Sequence, residues 1–241
     1  MLGFAEFCVP GNSLEDKLFQ IQAHRLWLEM ICTGERDLNA LSSYEIEVRS
    51  VQAYLLHRLN LLSRDKGVRK AAVKHIKESI TLARNVGAGN VITVPAYGFN
   101  FMENTFGECV NIFRNLSKFA GEICILIEGL SPIKTSFLPS LVDVDSLVST
   151  INRDNVKLMA DTGHIYDCGE DVENTLLRFR DKLAEVHLKD TESKPPGQGL
   201  LNFEKIVKML RKSQLCVEYR PRDLEKDFKE TVKYLKRQNF L

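Results

Sequence analysis

No stretch of this 241-residue chain approaches the roughly 18 consecutive apolar residues that a bilayer-spanning helix requires, so a helical membrane protein is excluded. The N-terminus has no basic flank followed by an extended apolar core, and an intracellular, cytoplasmic protein is expected. The six cysteines, at positions 8, 32, 109, 124, 168 and 216, include no close CxxC pair and mostly fall in apolar runs, the pattern of reduced, buried thiols. Charge of one sign is also missing. Lys and Arg number 33 and Asp and Glu 32, and the resulting +1 provides no global field to gather nucleic acid or an anionic membrane. There is no glycine-rich dinucleotide fingerprint, no phosphate-binding GxxxxGK[ST], no low-complexity segment and no independent linker.

What is present is a repeating order of short apolar runs and amphipathic segments. A hydrophobic fraction of 44% is enough for a substantial core, and the length fits one domain spanning 1–241. Strands are predicted at 2–9, 26–31, 46–51, 91–94, 123–128, 156–161, 184–188 and 215–220. Helices are predicted at 13–22, 64–86, 103–120, 142–151, 170–183, 203–210 and 223–236, the clearest being 64–86, where Val68, Ala72, Ile76, Ile80 and Ala83 recur at helical spacing. The intervening stretches 129–140 and 191–199 read as loops. Strand followed by helix, repeated about eight times at roughly 30 residues per unit, favours an α/β fold of the (β/α)8 TIM barrel type over a doubly wound sheet.

The chemistry collects at strand ends. In VKLMADTGH, Val156 to His164, an apolar-alternating strand ends in Asp161, a glycine turn follows, and His164 comes three residues later. Neither side chain is a natural core filler. Glu128 closes ICILIE, His187 lies in AEVHLKD, and Glu218 lies in LCVEYR. Strand ends of a barrel surround one mouth, so these three carboxylates and one imidazole make a hard metal site suited to Mn, Mg or Co, with Zn as the alternative.

At these residues the sequence resembles the xylose isomerase-like TIM barrel superfamily, in particular its sugar epimerases, with a more distant likeness to endonuclease IV-type AP endonucleases. The resemblance runs from about Ser50 to Arg220 and rests on DTGH at 161–164, EVHLKD at 185–190 with PGQG at 196–199, and VEYR at 217–220. It implies one divalent metal held by Glu128, Asp161, His187 and Glu218, with the two glutamates also acting as acid and base. His164 would bind substrate, and Arg220 and Lys194 would hold substrate oxygens or a phosphate. Where the nuclease relatives carry additional metal-binding histidines, this chain has Gln52 and Val94, neither a replacement for zinc-bound imidazole.

The function implied is isomerisation or epimerisation of a small keto-sugar or sugar phosphate by proton transfer through an ene-diolate. The alternatives are a polyol dehydratase, a noncatalytic metal- or ligand-binding barrel and, last, an AP endonuclease. A small carbohydrate is the expected partner, with association into a homo-oligomer left open.

Overall fold

Apolar side chains in unbroken succession, such as Ile125, Leu126 and Ile127, leave a strand with no face for water. Such strands need cover on both sides. In the computed structural model, which describes residues 2–210 and 212–241, eight parallel strands meet this need by closing into a ring in chain order. They are β1 (Gly3–Ala5), β2 (Trp27–Ile31), β3 (Val48–Gln52), β4 (Asn90–Thr93), β5 (Cys124–Glu128), β6 (Val156–Asp161), β7 (Leu183–Leu188) and β8 (Gln214–Val217). The last pairs back onto the first, Gly3 with Cys216 and Phe4 with Val217. The predicted (β/α)8 architecture is therefore the observed one.

Around the ring lie α1 (Leu14–Ala23), α2 (Lys66–Val86), α3 (Thr105–Ala120), α4 (Leu141–Ile151), α5 (Thr162–Asp167), α6 (Val172–Phe179), α7 (Phe203–Met209) and α8 (Leu224–Arg237). The α2 helix buries Ala72, Ile76, Ile80 and Ala83, the stripe its spacing predicts. Asp65 caps its first turn, and Gly87 ends it with φ 74°, a left-handed conformation that favours glycine. Among the described residues, no helix is long and apolar enough to cross a membrane.

Three local expectations change, and one repeat departs from the strand-then-helix order. The predicted first strand stops at Ala5, and Glu6–Cys8 wind into a 3-10 turn. There the Glu6 carboxylate accepts two hydrogen bonds from Arg36 (2.7 and 2.9 Å) and one from the Ile31 amide (3.1 Å), which draws the chain out of the ladder. The last strand stops at Val217, the partner of Phe4, so Glu218, Tyr219 and Arg220 extend beyond the sheet. The second repeat has no α-helix between β2 and β3, only a 3-10 segment at Asn39–Ser43. Gly163 makes no turn: α5 starts directly after β6, capped by Asp161.

Closure also depends on Gly3. A Cβ there would fall on the indole of Trp27, its register partner on β2 and a fully buried side chain. Gly3→Ala is expected to lower stability by about 1–3 kcal/mol through overpacking, read as an earlier urea unfolding midpoint with unchanged slope.

Candidate active site

Each of β5, β6 and β7 brings one ionisable side chain to the rim, Glu128, Asp161 and His187, and Glu218 follows one residue beyond β8. All four are buried, and one ligand atom from each lies within 4.8 Å of all the others. Nδ1 of His187 is 3.5 Å from Glu218 Oε2, 3.7 Å from Glu128 Oε1 and 4.0 Å from Asp161 Oδ2. It has no hydrogen-bond partner among the described residues. Atoms about 2.0–2.2 Å from a common ion stand roughly 3–4.4 Å from one another, so this spacing suits groups that face an ion better than groups that bond each other. The cluster can hold a divalent metal.

The backbone dictates this convergence. Asp161 is at once the last residue of β6 and the N-cap of α5, its Oδ1 accepting the His164 amide at 2.9 Å. One oxygen is thereby fixed by the helix and the other turned to the cluster. Thr162 accepts the Lys189 amide (2.9 Å) and donates to its carbonyl (2.6 Å), tying α5 to the end of β7. Glu218 Oε1 accepts from Gln52 on β3 at 2.9 Å.

Lys189 is the residue that strand-end reasoning passes over. Its ammonium lies 2.6 Å from Asp161 Oδ2, 3.2 Å from Glu218 Oε2 and 3.4 Å from His164 Nε2. The signal was available in EVHLKD, where Lys189 stands two residues after His187 and so returns to the same side of the chain. Glu29, Ser50 and Glu185 were passed over as well. From β2, Glu29 reaches across the barrel to accept from His187 Nε2 at 2.8 Å, and Ser50 donates to Glu185 at 2.5 Å. Glu29 had been visible as the lone charge in LWLEMI.

Proton affinities follow from this crowding. Burial pushes Asp161 up to about 7, with Lys189 pulling against it and Glu218 and Glu128 adding to the rise. Burial disfavours the His187 imidazolium, but Glu29 and Glu218 outweigh it and hold the group well above its ordinary value. For Glu218, burial is more than offset by Lys189 and His187, which keep it well below the usual carboxylate range. Burial and then Lys189 hold His164 well below, as neutral imidazole. Burial, reinforced by Glu29, raises Glu185 well above the ordinary value.

Above the cluster opens a cavity of about 550 Å³, lined among others by Glu128, His164, Lys189, Glu218, Lys134 and Arg220. His164 and Arg220 thus lie at the cavity. Lys194 is placed otherwise: its ammonium pairs with Glu192 at 2.8 Å, and its neighbour Ser193 lines the cavity in its stead. Glu192 and Ser193 both have left-handed backbones, φ 58° and 57°. That strain is held by Asp190, whose buried carboxylate accepts the amides of Thr191, Gly197, Gly199 and Leu201.

A family model described as xylose isomerase-like TIM barrel matches residues 4–238. The chain is a xylose isomerase-like TIM barrel. Among proteins similar to this barrel, an uncharacterised protein of Methanocaldococcus jannaschii is 26% identical over 222 residues, covering 86% of this chain and 85% of its own. The L-ribulose-5-phosphate 3-epimerase of Shigella flexneri is 24% identical over 190 residues, which span 76% of this chain and 66% of the epimerase. Among solved structures, a 3-keto-D-glucoside 4-epimerase from E. coli superposes with TM-score 0.84 at 16% identity, covering 98% of both chains. At that identity the likeness is one of fold.

In this barrel, protons on His187 and Asp161 would compete with an ion held in the cluster for the same lone pairs. Because both groups titrate above their ordinary values, metal affinity is expected to rise as pH increases through about 7 and to weaken below it. Calorimetric metal titrations in buffers of different ionisation enthalpy will read this as proton release, and an affinity flat between about pH 6 and 8 would contradict it.

Proposed function

We propose that the protein is a divalent-metal-dependent isomerase or epimerase acting on a small keto-sugar or sugar phosphate. The observation that carries this reading is the convergence of Glu128, Asp161, His187 and Glu218 at the floor of an open cavity, with the two glutamates delivered from β5 and from the end of β8, the two ends of the arc that supplies the cluster. A divalent ion in such a cluster supplies Lewis-acid polarisation of a carbonyl and its neighbouring hydroxyl. The oxygen-rich donor set favours Mn, Mg or Co, with Zn as the alternative.

The chain's own residues then divide the work. Glu128 and Glu218 face the substrate carbon from two sides, so that one carboxylate removes the proton next to the carbonyl and the other returns one. Return to the opposite face inverts the carbon, and transfer to the neighbouring carbon isomerises it. Gln52 and Lys189 hold Glu218 in its ionised, proton-accepting form. His164, kept neutral, hydrogen-bonds the polarised oxygen, and Lys189, 3.4 Å from it, places a positive charge beside the negative oxygen that develops. At the mouth, Lys134 and the exposed Arg220 suit a phosphate or an outer hydroxyl, whereas the ion pair of Lys194 with Glu192 occupies the cation expected there.

The relatives support the reaction class, since the activities they are named for, 3-epimerisation of L-ribulose 5-phosphate and 4-epimerisation of a 3-keto-D-glucoside, both invert a carbon next to a carbonyl. Multi-zinc nuclease chemistry gains no such support. Gln52 is committed to Glu218, and Val94, at the cavity wall, offers no ligand.

Solvent deuterium incorporation into a panel of ketoses and ketose phosphates tests the proposal. Metal-loaded protein is expected to exchange the proton next to the carbonyl, and Glu218→Gln to reduce that exchange by about 10²- to 10⁴-fold while unfolding at a similar temperature. Unchanged exchange in the variant would reject the role of Glu218. Tight metal retention without exchange across the panel would favour a binding barrel over an enzyme.

A further inference from the structure

Beneath the ligand cluster the barrel interior is polar where hydrophobic layers are usual. Glu29 from β2, Ser50 from β3, and Glu185 and His187 from β7 come together inside the barrel, all fully buried. His187 spans the two levels. Its Nδ1 faces the three carboxylates at the rim and has no hydrogen-bond partner among the described residues, whereas its Nε2 lies 2.8 Å from Glu29 Oε2. Glu185 is anchored by Ser50 through one oxygen, and the other, like Glu29 Oε1, finds no donor among the described residues. Glu29, Glu185, His187 and Cys216 each offer a ligand atom within 4.8 Å of the others.

We infer that Glu29 is a positioning residue for the metal centre: by accepting the Nε2 proton of His187 it fixes the tautomer and ring angle that aim the Nδ1 lone pair at Glu128, Asp161 and Glu218. Neutral imidazole carries one proton, and whichever nitrogen donates it leaves the other as the ligand. An acceptor at Nε2 therefore decides that Nδ1 is free. A carboxylate in that place also raises the basicity of the ring and stiffens it against rotation. Glu185, held by Ser50, has a carboxylate oxygen within 4.8 Å of Glu29 and His187, so Ser50, Glu185, Glu29 and His187 form one buried cluster that reaches from β3 to the ion site.

This inference rests on the metal-site reading, and the experiment keeps the two apart. Zn²⁺, which is diamagnetic, is titrated calorimetrically into chelator-treated wild-type protein, Glu29→Gln and Glu29→Leu, and the zinc-loaded proteins are compared by histidine ¹⁵N NMR. Wild type is expected to bind one ion with a downfield, slowly exchanging Hε2 resonance from His187. Glu29→Leu, which removes the acceptor, is expected to weaken binding roughly 10- to 100-fold. Glu29→Gln keeps an acceptor oxygen without its charge, and is expected to fall between the two with the Hε2 resonance moved upfield. Should Glu29→Leu fail to fold, the Gln variant decides.

Both variants within twofold of wild type, with Hε2 unmoved, would overturn the positioning role and leave the metal site standing. No ion bound by wild type would overturn both. Two ions per chain, the second lost in Glu29→Gln, would make Glu29 a ligand and overturn the inference as well.

Discussion

Carboxylates packed within 4.8 Å of one another in a buried cluster repel, and the rest of the site is arranged around that repulsion. Two unit charges about 4 Å apart interact by about 4 kcal/mol at an effective dielectric near 20, so three carboxylates at the rim cannot remain ionised without a compensating positive charge. Lys189 supplies one such charge, touching Asp161 and Glu218 directly. His187 supplies another, between the rim carboxylates and Glu29. Protons are favoured there as well: Asp161 is raised first by burial and then by Glu218 and Glu128, and His187 is raised by Glu29 and Glu218 against its burial. An ion carrying two positive charges satisfies the same demand at a single point.

The fold gathers these groups because a closed parallel ring ends every strand on the same rim. Strands β5 to β7 contribute one rim residue each, and the loops above contribute the walls of the cavity. The division is physical as well as spatial. Ligand positions on strands are fixed by the ladder, while the loop after β7 is fixed by a single carboxylate, Asp190, which satisfies four backbone amides. With that clamp in place, two consecutive non-glycine residues keep left-handed backbones beside the cavity.

Much of this was legible in the sequence. Continuous apolar strands and helical stripes such as Ala72, Ile76, Ile80 and Ala83 report burial directly, and burial is what makes a barrel. The four rim residues stood out because ionisable side chains closing apolar runs have no place in a core. What stayed hidden depends on partners distant in sequence. The early end of β1 follows from Glu6 meeting Arg36, and β8 ends at Val217, where its pairing with Phe4 of β1 and Leu188 of β7 stops. Lys194 and Lys189 are both lysines near a loop, and only the ion pair of the first with Glu192 and of the second with Asp161 tells them apart. Glu29 was visible as a charge among apolar neighbours, yet its partner lies 158 residues away across the barrel.

The ammonium of Lys189 gives the barrel a tenant of its own for the negative well at its floor. That charge belongs to the chain itself and is buried with its partners, so it offsets the carboxylates whatever else enters the cavity.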